Sequence, residues 1–256
     1  MIDTHIHLDD PRYDGEREEI IDSFALDGID FVINNSADFL GMVKGFEIAQ
    51  KHKKVYCTVG CHPHDAKTFS DAFENKMVEL ANNPKVVAVG EVGLDYFYEL
   101  SERKVQKEVF ARQIMLAHKL NLPLTLHLRD AFADALDILQ AHRNYLDRGI
   151  LLHCYSGSAE TAKTLLNKYL SYFAFGGALT FKKNRKSEVL SAIPLDRVLT
   201  ETDGPYLTPE PFRGKLNYPK YIRLVLPHIA AAYGIDFSQA EATVLENTKR
   251  FFTKIK

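Results

Sequence analysis

Met1-Ile2-Asp3-Thr4-His5-Ile6-His7 opens the chain as an apolar run that ends in two histidines separated by one residue. In a β-strand, residues two apart point to the same face. His5 and His7 can therefore converge on one metal ion while Thr4 and Ile6 face away. A lone His-x-His fits an ordinary strand equally well. The reading turns on whether other strands end in the same kind of residue.

They do. Working outward, apolar or β-branched runs recur at Phe31–Asn35, Val55–His62, Val86–Asp95, Pro123–Arg129, Gly149–Tyr155, Tyr172–Gly177 and Val198–Asp203. Amphipathic stretches of helical period lie between them, among them Glu16–Leu26, Phe39–His52, Glu102–Leu120, Ala131–Leu146 and Ala159–Tyr169. Gly28, Asn121 and Gly149 stand just beyond periodic segments, where helices stop. After Tyr218 the pattern predicts a helix over Lys220–Tyr233, then another opened by Ser238 with Glu241 as its capping partner. About eight strands with a helix after nearly every one predict an α/β fold, a (β/α)8 TIM barrel. A doubly wound open sheet would carry a Gly-rich phosphate fingerprint after the first strand, and none follows. No repeat, low-complexity tract or linker divides the sequence, so one domain over 1–256 is expected.

Composition narrows the class. The chain has 256 residues, 46% of them hydrophobic, enough for a sizeable core. Its 32 Lys and Arg against 34 Asp and Glu leave a net charge of −2, so no global basic field marks it for nucleic acid. A polyanionic substrate would have to be held by a local site. Cys57, Cys61 and Cys154 are an odd set with no CxxC pair, which fits a reducing, cytoplasmic setting. No apolar run approaches the roughly 20 residues of a membrane span, and no signal peptide is recognisable.

Active sites of such barrels sit at the C-terminal ends of the strands. His5 and His7 end the first strand, Glu91 lies late in the fourth, His127 near the end of the fifth, His153 near the end of the sixth and Asp203 at the end of the eighth. Four of the chain's ten histidines thus fall at strand ends. The set exceeds the roughly four ligands of one zinc and suits two divalent ions bridged by a carboxylate and a water. Glu91 is the natural bridge, because an anion between two cations lowers their repulsion. His5, His7 and Asp203 are assigned to one ion, His127 and His153 to the other. Asp203 can also take a proton from the attacking water, so Asp203 and Glu91 are the candidate catalytic residues. Nitrogen and oxygen ligands without sulfur admit Zn, Mn or Mg alike. Cys154 follows His153 and should point to the opposite face of its strand.

The stretches Asp3-Thr4-His5-Ile6-His7, Gly60-Cys61-His62-Pro63-His64 and Gly90-Glu91-Val92-Gly93-Leu94-Asp95-Tyr96 resemble the TatD family of metal-dependent deoxyribonucleases. So do Leu126-His127-Leu128-Arg129, His153-Cys154-Tyr155-Ser156-Gly157 and Glu201-Thr202-Asp203-Gly204-Pro205-Tyr206-Leu207, and the likeness runs on through Pro211–Pro219. Tyr155 where Phe is common and Gly204 where Ala is common are departures that remove no ligand. The resemblance implies an amidohydrolase-type barrel, phosphodiester hydrolysis with a divalent metal, and the ligand roles assigned above. It also implies action on DNA, often at single-stranded 3′ ends.

Further residues can serve a phosphate. His62, before Pro63, can donate to a phosphate oxygen, with His64 close by. Arg129, two residues past His127, can fork onto a phosphate from the barrel mouth unless a carboxylate pairs with it. Glu201 shares a face with Asp203 one layer deeper, which suits an acceptor that orients a ligand imidazole. Asp95 and Tyr96 can line the mouth without an evident role. Ser158 reads as the cap of a helix whose N-terminus favours an anion. The loop Pro205–Pro219 is long for its place and carries Arg213 and Lys215. With so small a basic footprint, only a few phosphates should be contacted, giving a shallow salt dependence. A rival reading is a metal-dependent amidohydrolase or deacylase, against which the fourth strand offers Glu91 rather than a lysine to carbamylate. A barrel that binds metal without catalysis would have little use for Asp203. No membrane partner is expected, and the residues fix no oligomeric state.

Overall fold

A computed structural model of the chain describes residues 1–182 and 186–256. Eight strands alternate with helices: β1 (Ile2–Ile6), β2 (Phe31–Asn34), β3 (Val55–Val59), β4 (Val86–Asp95), β5 (Leu124–Arg129), β6 (Ile150–Leu152), β7 (Ser171–Phe175) and β8 (Val198–Thr200). They pair in parallel in sequence order, β1 to β8, within one sheet. Between and after them run α1 (Arg17–Asp22), α2 (Phe39–Lys51), α3 (Asp71–Ala81), α4 (Arg103–Leu120), α5 (Phe132–Ala141), α6 (Ala159–Lys168), α7 (Lys186–Ser191), α8 (Ile222–Tyr233) and α9 (Phe237–Phe251). This is the expected (β/α)8 barrel. No helix among the described residues is long and apolar enough to cross a membrane.

The sheet closes on itself between β1 and the segment that follows β8. There the Asp203 N–H donates to the His5 carbonyl at 2.8 Å and the His7 N–H to the Gly204 carbonyl at 2.8 Å. Deeper in the seam, Thr4 Oγ1 donates to the Thr200 carbonyl and Thr200 Oγ1 to that of Ile2, at 2.9 and 2.8 Å. Closure therefore brings the first and last motif residues together.

Each strand is sandwiched between the barrel interior and the helices, so its residues alternate between two apolar clusters. Ile6, Leu126 and Leu128 share the outer cluster with Ile114 and Ala117 of α4 and with Ala135 and Leu139 of α5, as parity demands. Phe31, Ile33, Leu151, Tyr172, Ala174 and Leu199 form the inner one, into which Phe251, Phe252 and Ile255 pack. At the other end the inward positions carry the chemistry. β4 runs very close to β5 there: a Cβ on Gly93, whose φ is +142°, would lie 2.1 Å from the His127 carbonyl oxygen. Only glycine allows that approach.

Several strands stop short of their expected ends. β3 ends at Val59, β6 at Leu152 and β8 at Thr200, so His62, His153 and Asp203 stand beyond the ladder. Cys154 and Asp203 adopt left-handed backbone, φ 43° and 58°. Strand parity therefore does not govern Cys154, which is half-buried at a turn rather than on the outer face of β6. The final helix also starts earlier than expected. The capping box is Asp236 with Gln239, whose side chains and amides bond reciprocally at 2.8 and 3.1 Å, not Ser238 with Glu241. Both pairs have the spacing, and the upstream one lets Phe237 join the helix.

The outer cluster sets the stability of the barrel wall. Leu126 is fully buried, so Leu126→Ala should cost about 2–5 kcal/mol. Urea unfolding checks this, and a loss below about 1 kcal/mol would contradict the packing described.

Candidate metal centre

Glu91 occupies the middle of the mouth, 2% exposed. Its two oxygens face different partners. Oε2 lies 3.2 Å from His5 Nε2 and 4.0 Å from His7 Nε2. Oε1 lies 2.9 Å from His127 Nδ1, 3.0 Å from His153 Nε2 and 3.6 Å from His62 Nε2. Asp203 Oδ1 completes the first side, 3.4 Å from His7 Nε2 and 3.9 Å from His5 Nε2. The other five residues expected to ligate metal are thus gathered around this carboxylate. The His5–His7–Asp203 set is as compact as expected, its donor atoms within 4.8 Å of one another. The other compact donor groups are His5–Glu91–His153 and His62–Glu91–His127. His153 thus falls in a group with His5, on whose ring it stacks at 3.8 Å between centroids, and His127 in one with His62 rather than with His153 as expected.

The donors fit divalent cations. Both ring nitrogens of His5 are buried without a hydrogen-bond partner, and so are His153 Nδ1 and Glu201 Oε2. Burying an unpaired polar atom costs on the order of 1–3 kcal/mol. A cation held by the His5 nitrogen and its carboxylate neighbours would relieve that cost. The donor set is imidazole and carboxylate, which Zn, Mn and Mg all accept.

The charges lean on one another. Burial favours the neutral form of Glu91, but the imidazoles of His153, His5 and His62 and the hydrogen bond from His127 outweigh it and hold the carboxyl well below its usual range. Asp203 is likewise held low against its burial, by His7 above all. Burial opposes the imidazolium of His7, yet the bond to Asp203 and the charges of Glu91 and Asp203 push it up to about 9. His153 is raised well above its usual value against its burial by Glu91 and Glu201. His5 moves down, because burial is joined by the charge of His153.

Neighbouring groups fix the rings. Asp95 closes β4, and its Oδ1 accepts the amides of Phe97 and Tyr98 at 3.0 and 2.9 Å. Its Oδ2 takes bonds from His127 Nε2 at 2.9 Å and His64 Nε2 at 3.0 Å. Asp95 thereby turns His127 so that Nδ1 meets Glu91. The sequence left Asp95 without a role, although it sits four residues beyond Glu91 on the same strand face. Glu201 stands behind His153: Oε1 accepts the Cys154 amide at 2.6 Å, and Oε2 is 3.5 Å from His153 Nδ1. Asp3, its pKa pushed up to about 8 by burial, accepts from Thr202 and from the His5 amide, tying β1 to the Asp203 loop.

His62 Nδ1 accepts the His64 amide at 3.1 Å. Its proton therefore sits on Nε2, which is left as a donor aimed into the cluster. Arg129 is half-buried, its guanidinium 3.8 Å from the Phe97 ring centroid and 4.8 Å from that of Tyr98. Among the described residues no carboxylate pairs with it. Arg213 and Lys215 are exposed on their loop, Arg213 lying 4.3 Å over Phe181, and no hydrogen bond or ion pair ties either to the cluster. Ser158 caps α6 as expected, its Oγ accepting the Thr161 amide at 3.1 Å.

The family model described as TatD related DNase matches residues 2–253. The chain belongs to the TatD-related DNase family. An uncharacterized metal-dependent hydrolase, YabD of Bacillus subtilis, is 39% identical over 253 residues, 98% of each chain. The 3′-5′ ssDNA/RNA exonuclease TatD of Cronobacter sakazakii is 31% identical over 261 residues, covering 99% of this chain and 98% of its own. The crystal structure of YjjV, a TatD homolog from Escherichia coli K12, superposes with a TM-score of 0.92 at 26% identity over 99% of this chain and 98% of that one. As a TatD family member the chain is a metal-dependent hydrolase acting on ester bonds.

A cation must displace the protons that the carboxylates hold on these imidazoles. With its pKa pushed up to about 9, His7 is an imidazolium at pH 7, and His153 is pushed in the same direction. Metal binding at that pH should release protons, and affinity should rise with pH toward about 9. Titration calorimetry in buffers of different ionisation enthalpy reads this directly. Binding without net proton release would contradict the charge arrangement.

Proposed function

We propose that this protein hydrolyses phosphodiester bonds of nucleic acid, DNA foremost, from the 3′ end of a single strand. The observation that carries the reading is the split of Glu91, whose two oxygens face separate donor sets. Two divalent cations would be held there by Glu91 together with His5, His7 and Asp203 on one side and His127 and His153 on the other, with His62 standing beside His127. The likeness to relatives named as 3′-5′ ssDNA/RNA exonucleases supports the substrate class and the direction.

When bound, such cations supply the positive charge that makes water a competent nucleophile at neutral pH and offsets charge on the phosphoryl oxygens. The chain's own residues do the rest. Asp203, kept ionised by His7, accepts the proton of the water that attacks phosphorus. A bond forms from the water oxygen to phosphorus, the P–O3′ bond to the shortened strand breaks, and its leaving 3′ oxygen takes up a proton from solvent. His62, protonated at Nε2, donates to a phosphate oxygen. Arg129, without a carboxylate partner among the described residues, forks onto the same or the next phosphate. Arg213 and Lys215 meet the strand farther out on their loop. Asp95 and Glu201 hold the rings of His127 and His153 in line. No feature of the cluster favours a deacylase: β4 presents Glu91 and no lysine.

Asp203→Asn keeps the shape of the side chain and removes its basicity. With the cations retained, kcat on 5′-labelled single-stranded DNA should fall about 10²–10⁴-fold. The wild-type protein should shorten that strand stepwise from its 3′ end and leave closed circular duplex intact. Equal cutting of the circle, or near-normal kcat in the variant with its cations bound, would overturn the reading.

A further inference from the structure

Three large aromatic side chains at the mouth stay in water. Phe97, Tyr98 and Tyr206 are 56%, 54% and 47% exposed. Folding gains nothing from leaving these rings wet, and an exposed apolar patch rimmed by charge marks a binding surface. Each patch carries an arginine laid on the ring. Arg129 covers Phe97 and Tyr98 at 3.8 and 4.8 Å, and Arg12 covers Tyr206 at 4.1 Å. Arg12 is held there by two bonds to Asp10, 2.9 and 2.7 Å long.

Their placement is what makes them a pair. Phe97 and Tyr98 hang from the end of β4 through amide bonds to Asp95, the carboxylate that holds His127. Tyr206 hangs from the Asp203 carbonyl by its own amide at 2.8 Å, and its ring meets His7 edge-on at 5.9 Å. In a closed sheet ordered β1 to β8, the β4–β5 edge lies half a circuit from the β8–β1 seam. The two aromatic–arginine groups therefore flank the carboxylate–imidazole cluster from opposite sides.

We propose that they are two base-stacking stations, one for the nucleobase on each side of the scissile phosphate. Every base has a π-face, so stacking on a ring or guanidinium plane takes any sequence. The stations would fix a strand end over the cluster without reading its bases and would reject a duplex, whose bases are already stacked on each other. The inference rests on the nuclease reading above and names the contacts that hold its substrate.

The test uses the cation-loaded protein and short single-stranded oligonucleotides carrying 2-aminopurine either at the 3′ terminal base or at the base before it. The chain has no tryptophan to interfere, and stacking quenches the probe. Stopped-flow mixing reads the quench before turnover. Wild type should quench both positions. Phe97→Ala combined with Tyr98→Ala should lose the quench at one position, and Tyr206→Ala at the other. In each variant the preference in kcat/KM for a normal strand over one abasic at its two terminal positions should fall about tenfold, the scale of one stacked base. Variants that quench and discriminate like wild type, or that lose the same position, overturn the two stations while the nuclease reading stands. A wild-type protein that binds and cuts neither strand overturns both.

Discussion

A carboxylate buried at the mouth of a barrel is stable only in company, and the placing of Glu91 governs the rest of the site. Out of water an unpaired carboxylate would take up a proton. Here imidazoles from β1, β5 and the turn after β6, with His62 beyond, keep it ionised. Of the surrounding imidazoles, His7, His127 and His153 in turn depend on their carboxylate neighbours, which outweigh burial and hold them above their usual range, while burial drives His5 and His62 down. Neither group is tenable at the mouth without the other, and divalent cations answer both demands.

Geometry rather than local sequence makes this company possible. Residues from both ends of the sequence meet because the sheet closes, and the closing bonds run through His5, His7, Asp203 and Gly204 themselves. The interior below is filled by side chains such as Tyr172 and Phe252, so the chemistry has only one end at which to sit. Rigidity comes from the wall, while the exposed rings of Phe97 and Tyr206 hang from the same carboxylate-bearing segments that shape the cluster.

Much of this was legible in the residues. The alternation of strand and helix gave the barrel, and parity within β1, β4 and β5 brought His5, Glu91 and His127 to one face. Parity stopped informing where the ladder stopped. Past β6 and β8, turns with left-handed residues at Cys154 and Asp203 aim the side chains, and no period in the sequence encodes that. Asp95 went without a role because its partners, His64 and His127, lie on other elements. The contact of Arg12 with Tyr206 joins segments near opposite ends of the chain and depends on closure. The Asp236–Gln239 box and the Ser238–Glu241 pair have the same spacing, and the fold uses the upstream one.

The central claim is that the charge of Glu91 holds two cations together, and elemental analysis of metal per chain tests it most directly. Wild type loaded with Zn or Mn should carry two ions per chain. Glu91→Gln, with wild-type far-ultraviolet circular dichroism, should carry no more than one and lose most of its turnover. Two ions retained in the variant with near wild-type turnover would contradict the account.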